Sequence, residues 1–195
     1  MPKKKSVKMC AQRFRRDADE LLEFCREAST LSDRHTSLAY EVAIIKLYAA
    51  FERLMVGALT GAINNDTAAL GSTTRVDFPK HLTDGVCEYI ITGGKYFDFH
   101  GRSGLIGEIK KYVPKDHYLL KAVKDPAYRQ SLDRLCALRN YAAHESTTSK
   151  RAALDAVGQR KMRSAGSWLK VQNRFGDLAC RLSDLSCRVE QGAPY

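Results

Sequence analysis

The 195-residue sequence reads as an all-α protein. Apolar residues recur three and four positions apart over long stretches, the spacing that gathers them on one side of a helix, while runs that alternate apolar and polar residues are scarce. Five prolines and 13 glycines are too few for a disordered or fibrous chain. At this length one domain, spanning 1–195, is able to bury a full hydrophobic core.

A first helix over Val7 to Ala28 sets Phe14, Ala18, Leu21, Leu22 and Cys25 along one side. A second, over Thr36 to Ala62, is the strongest core element, since Ile45, Tyr48, Phe51, Met55 and Leu59 step by three or four, and the two form a hairpin. The stretch from Asn64 to Pro79, rich in Thr, Asn, Asp and Gly, has the composition of a loop. A helix from His81 to Thr92 ends at Gly93-Gly94, Lys95 to Gly104 reads as an irregular connection, and a short helix from Leu105 to Val113 stops at Pro114. Gly93-Gly94-Lys95 lacks the full spacing and the preceding strand of a phosphate-binding loop. Asp125-Pro126 starts the next helix, because Asp caps free backbone amides and Pro needs no donor at the first helical position. That helix runs to Glu145. The basic segment 146–167, with Gly158 and Gly166 as breaks, leads to a last helix on which Trp168, Val171, Phe175, Leu178, Leu182, Leu185 and Val189 form a regular packing seam. Such a seam closes the monomer's own bundle or pairs with a second copy, and core packing is the expectation.

Thirty-two Lys and Arg against 22 Asp and Glu leave a formal charge of +10, an excess suited to a polyanionic partner such as RNA or DNA. The six cysteines (Cys10, Cys25, Cys87, Cys136, Cys180 and Cys187) include no Cys-x-x-Cys pair and read as reduced thiols. Residues 1–6 form a basic tail with no apolar core of a secretory signal behind it. The most apolar segment, Leu38 to Ile63, is interrupted by Glu41, Lys46, Glu52 and Arg53, which are costly in a bilayer. A cytoplasmic protein without a membrane partner is expected. The five histidines are too dispersed for helical metal-site spacings, so neither a metal nor another cofactor is expected. No nucleophile elbow supports a Ser/His/Asp hydrolase. Glu41 and Glu52 stand out as charged groups on an apolar helix, where each needs solvent, a basic neighbour or a role.

The segment that carries chemistry is Leu138-Arg139-Asn140-Tyr141-Ala142-Ala143-His144-Glu145. At about 100° per residue, Leu135, Leu138 and Ala142 point one way, while Asn140 and His144 lie roughly 140° to 180° from Leu135, away from their own core. Arg139 sits at the core edge, from which its long stem is able to bring the guanidinium round toward His144. From Arg134 to Arg174 there are nine basic residues (Arg134, Arg139, Lys150, Arg151, Arg160, Lys161, Arg163, Lys170 and Arg174) against two acids, Glu145 and Asp155. Lys3, Lys4, Lys5, Lys8, Arg13, Arg15 and Arg16 add to them. Such surfaces bind phosphate backbones through counterion release, and Tyr141 is placed to stack on unpaired bases; Trp168, which begins the seam, reads as core.

The Arg139-Asn140…Ala143-His144 pattern resembles the Arg-Asn-x-x-Ala-His signature of HEPN domains, and within that superfamily it is most similar to the RiboL-PSP-HEPN group. Ile44 to Leu54, with its Phe51-Glu52 pair, looks like the family's early core helix, so the resemblance spans roughly Ser37 to Val189. The resemblance implies a four-helix bundle core with extra short helices. It also implies a metal-independent endoribonuclease, acting as a homodimer in a toxin or phage-defence setting and restrained by an antitoxin or regulatory protein. Arg139, Asn140 and His144 are then the catalytic set, with Glu52 and Tyr141 in support and Lys150, Arg151, Arg160, Lys161 and Arg163 binding RNA. In such a reaction a base takes the proton of a ribose 2′-hydroxyl, the oxygen attacks phosphorus, and an acid protonates the leaving 5′-oxygen. One imidazole does not easily serve both sides of an in-line displacement, so a composite dimer site with two copies of His144 is expected. The competing class is a non-catalytic RNA-binding or regulatory module. A DNA-binding regulator is a third, without good helix-turn-helix spacing.

Overall fold

A computed structural model describes residues 5–194. Among the described residues there are ten α-helices and no strand, so the all-α reading holds. The helices are α1 (Val7–Glu27), α2 (Asp33–Asn65), α3 (Thr67–Thr74), α4 (Asp84–Thr92), α5 (Gly101–Ile109), α6 (Tyr118–Lys124), α7 (Arg129–His144), α8 (Thr147–Val157), α9 (Ala165–Leu169) and α10 (Arg174–Gly192). None of them is long and apolar enough to cross a membrane.

α2 is the axis of the molecule. Its apolar residues go all the way round, and the helix is accordingly walled in by α1, α4, α7, α9 and α10. The four longest helices close a ring in which α1 packs on α2 and α10, and α7 packs on the same two. Phe14, Phe51 and Phe99 meet edge to face through the middle of one continuous apolar core that reaches from Val7 to Val189. The α1–α10 contact is tied by Arg15, which donates to Ser186 Oγ (3.2 Å) and to Glu190 (2.5 Å).

Several elements depart from the sequence reading. Of the basic tail, residues 1–4 lie outside the described residues; Ser6 caps α1 by accepting from the Met9 amide, and Lys5 pairs with Glu88 at 2.8 Å, so these two are anchored. The stretch read as loop from Asn64 contains α3, because Asp66 caps the Ala69 amide and Leu70 is fully buried. α6 escaped the reading altogether; His117 caps it, and Leu119, Leu120 and Val123 are its buried face. Asp125 does cap, but it starts a 3₁₀ turn over Pro126–Tyr128 that leads into α7. Gly101 opens α5 at φ +64°, and a Cβ there would press on the Asp133 carboxylate that receives the Arg102 amide at 2.8 Å.

The connecting segment 146–167 is largely helical. Ser146 and Ser149 form a reciprocal capping box that starts α8, and Gly158 ends it in a left-handed conformation. Gly166 is no break: it lies inside α9, where the helix backbone passes so close to the Ser37 carbonyl that only a glycine fits. The proposed last helix is cut in two. Gln172 and Asn173 take consecutive left-handed conformations, leaving Trp168 on α9, Val171 exposed, and only Phe175, Leu178, Leu182, Leu185 and Val189 as the buried stripe of α10.

Candidate functional site

The crossing of α2 and α7 holds a cluster of polar groups at the edge of the apolar core. α2 contributes Tyr48 and, one turn on, Glu52; α7 contributes Cys136, Arg139 and Asn140. The roof is the segment 95–100, which belongs to no helix and along which burial alternates from residue 96 on. Phe97 and Phe99 are buried while Tyr96, Asp98 and His100 are exposed. Phe99 stacks on Tyr48 with ring centroids 5.1 Å apart, and its carbonyl accepts from Cys136 Sγ at 3.1 Å. The stretch read as an irregular connection therefore covers the site.

Within the cluster Arg139 lies with its guanidinium 4.4 Å from the centre of the Tyr48 ring, a cation–π contact, and donates through Nη1 to Asn140 Oδ1 at 2.7 Å. Asn140 donates in turn to Cys136 Sγ at 3.9 Å. The Tyr48 hydroxyl donates to Asp98 Oδ1 at 3.0 Å. Burial, with the Glu52 carboxylate close by, drives the Tyr48 phenol far above its ordinary range. Glu52 itself is pushed up to about 7, chiefly by burial; Arg139 pulls the other way and Asp98 adds to the rise. A carboxyl that changes protonation near neutral pH beside a fixed guanidinium is the arrangement from which general acid–base sites are built.

The angular positions on the helix predict Asn140 facing outward and Arg139 reaching toward His144, and the geometry differs on both counts. Asn140 is half-buried, and Arg139 is turned onto the α2 ring. His144 is exposed in the last turn of α7, and its imidazole makes no hydrogen bond among the described residues. The chain leaves the helix through Glu145 at φ +45°, a left-handed conformation that costs a non-glycine residue about 1 kcal/mol. His144 thus stands at a sharp corner between α7 and α8.

Tyr141 is not free to stack on a base. Its ring is buried, and its hydroxyl donates to the Arg163 carbonyl at 3.0 Å, so it ties the segment after α8 to the motif helix. Beside that tie Lys150, Arg160, Lys161 and Arg163, with Leu154 and Met162 as the floor, line one groove of 440 Å³. Lys150, Arg160 and Lys161 have no acidic partner among the described residues, whereas Arg163 faces Asp33 at 4.0 Å. Arg151 is exposed on α8 outside the groove lining. Four of the five expected RNA-contacting cations are therefore gathered in one place. Other basic residues are occupied elsewhere: Lys170 holds Asp33 at 2.5 Å, and Lys5 and Arg15 serve the helix contacts given above.

Glu41 has a structural use. It accepts the Gly166 amide at 3.3 Å near the start of α9, which explains its place on an apolar helix. Glu52 differs, since it also borders a separate 610 Å³ cavity between α1, α2 and the 95–97 segment. The sequence reading missed Tyr48 and Asp98 as members of the cluster. A signal for the roof was present in Tyr96-Phe97-Asp98-Phe99-His100, whose strict alternation marks a half-buried extended segment. No family model, characterised protein or solved structure matches the chain.

Proposed function

We propose that the protein is a metal-independent endoribonuclease of the HEPN type, cleaving RNA by attack of a ribose 2′-hydroxyl on the adjacent phosphorus to leave a cyclic phosphate. The observation that carries this reading is the Arg139–Asn140 pair. It is held by a 2.7 Å hydrogen bond and seated on Tyr48 beside a carboxyl that titrates near pH 7, one helical turn before an exposed His144. A guanidinium fixed in this way stabilises charge developing on phosphoryl oxygens without having to reorganise during the reaction. His144 supplies an imidazole, the side chain most often used as general acid or base. Asn140 orients Arg139, and Glu52, able to hold or release a proton near pH 7, supports Arg139 or an incoming hydroxyl.

The neighbouring groove of Lys150, Arg160, Lys161 and Arg163 supplies the phosphate-binding surface, and its apolar floor suits bases of unpaired RNA. An in-line displacement needs a base on one side and an acid on the other. A two-fold homodimer that sets one His144 against its partner's provides both, and His144 is exposed as such a site requires. A toxin or phage-defence role, with an antitoxin or regulatory protein as restraint, belongs to the same reading.

A second reading, a non-catalytic RNA-binding module, draws on one observation: no group among the described residues orients the His144 imidazole. Incubating a defined structured RNA with the wild type and with His144→Ala separates the two. Cleavage by the wild type that is lost in the variant, with RNA binding retained, supports the enzyme. Tight binding without cleavage by the wild type supports the module.

A further inference from the structure

A cleft of 580 Å³ opens between α7, α9 and α10, and none of its side chains belongs to the Arg139 cluster or to the Lys150 groove. Trp168, the single tryptophan of the chain, forms part of its wall and is only 7% exposed. Two guanidiniums attend its ring, Arg174 at 4.6 Å and Arg134 at 5.6 Å from the centroid. Neither arginine has a carboxylate partner among the described residues. Arg134 donates Nε to the Ala156 carbonyl at 3.4 Å; Arg174 donates to the Trp168 carbonyl at 3.2 Å and to Gln172 Oε1 at 2.7 Å. Most of the remaining guanidinium N–H groups are left unspent, since each arginine has five. The Trp168 Nε1–H, too, is buried without an acceptor.

Two like charges have thus been brought to one ring and drawn partly out of water. Burial, with Arg174 adding to it, lowers the Arg134 pKa accordingly. The two acids of the cleft do not relieve the pair. Asp177 accepts from Asn173 Nδ2 at 3.1 Å, and Asp184 faces Arg181 at 3.9 Å. Arg134 and Arg174, which line the cleft without a carboxylate partner among the described residues, suit a compact dianion with several acceptor oxygens. A phosphate group matches the planar forks of two arginines better than a carboxylate does, and the volume falls within the roughly 300–1,000 Å³ of small-molecule sites.

We propose that this cleft binds a terminal phosphate of a nucleotide or nucleic-acid end, clamped between Arg134 and Arg174. The site is independent of the proposed nuclease centre and does not rest on it. Trp168 is its built-in reporter, since it is the only tryptophan and lies under both guanidiniums.

The test titrates the full chain with AMP and with a DNA dodecamer carrying either a 5′-phosphate or a 5′-hydroxyl, following Trp168 fluorescence and binding heat. DNA has no 2′-hydroxyl, so the proposed nuclease leaves it intact. Saturable binding of AMP identifies a free nucleotide as the source of the phosphate, and preference for the 5′-phosphorylated dodecamer identifies a strand end. In either case Arg134→Gln and Arg174→Gln each raise Kd by about tenfold or more, while Lys80→Gln, at an exposed lysine that lines neither the cleft nor the Lys150 groove, leaves it unchanged. Circular dichroism shows that the variants keep their helices. No saturable binding of AMP together with no preference for the phosphorylated dodecamer overturns the proposal, as does AMP binding or a 5′-phosphate preference that survives both arginine substitutions.

Discussion

Replacing Glu52 with Gln turns a carboxyl that is half-ionised near pH 7 into an amide of the same shape that cannot ionise, and its effect on stability follows from the surroundings of the side chain. Unfolded, the carboxyl ionises near its ordinary 4.5; folded, burial holds its proton to about 7. Between these values the unfolded chain binds fewer protons than the folded one, so stability falls as pH rises. Below 4.5 both states are protonated, above 7 both are ionised, and the contribution is flat. At about 1.4 kcal/mol per pH unit the full span corresponds to about 3 kcal/mol. Roughly 2–3 kcal/mol of it falls between pH 5 and pH 8. Glu52→Gln lacks this loss. Urea unfolding of both proteins at pH 5, 6, 7 and 8 therefore gives two curves that diverge by about 2–3 kcal/mol in favour of the variant as pH rises, other titrating groups cancelling in the difference. Curves that stay parallel within about 0.5 kcal/mol refute the reasoning, because the carboxyl would then feel Arg139 as strongly as it feels burial.

Gly166→Ala places a methyl against the Ser37 carbonyl where α9 touches α2, and overpacking of this kind lowers stability by about 2–3 kcal/mol in urea melts. Glu145→Gly removes a left-handed non-glycine residue and raises stability by about 0.5–1 kcal/mol, provided the corner after His144 keeps its shape. Tyr141→Phe strips the Arg163 carbonyl of its donor and costs about 1 kcal/mol, and it speeds proteolysis in the 158–164 segment more than elsewhere.

Long, strongly periodic stretches were legible. α1 and the middle of α2 were read to within a few residues because their apolar positions repeat over several turns, and α4 and α7 ended at the expected Gly93 and His144–Glu145 corners. What escaped depended on partners distant in sequence. α6 shows little periodicity in its seven residues and exists because Leu119, Leu120 and Val123 reach the core while Arg102 satisfies the carbonyls at its end. The break between α9 and α10 hides in an unbroken three-four spacing, since Val171 fits the pattern as well as Phe175 does. Only the two left-handed residues between them separate the stripe.

The site was half legible. Arg139 and Asn140 were singled out by their resemblance to the HEPN signature, and Glu52, together with Glu41, by being a charge on an apolar helix. Their meeting around Tyr48, whose ring also stacks on Phe99, comes from the crossing of α2, α7 and the 95–100 segment, which no local pattern encodes. The same limit explains Tyr141. Its place in the motif suggested a role toward ligand, whereas the neighbour that uses its hydroxyl is 22 residues further on.

The measurement that bears most directly on the account is the chemistry of the RNA ends. A defined structured RNA is incubated with the wild type and with His144→Ala, with and without EDTA, and the new 3′ ends are identified by mass spectrometry. The account predicts 2′,3′-cyclic phosphate ends from the wild type in equal amounts under both conditions, and none from His144→Ala. Cleavage that leaves 3′-hydroxyl ends, or that continues undiminished in His144→Ala, would contradict it.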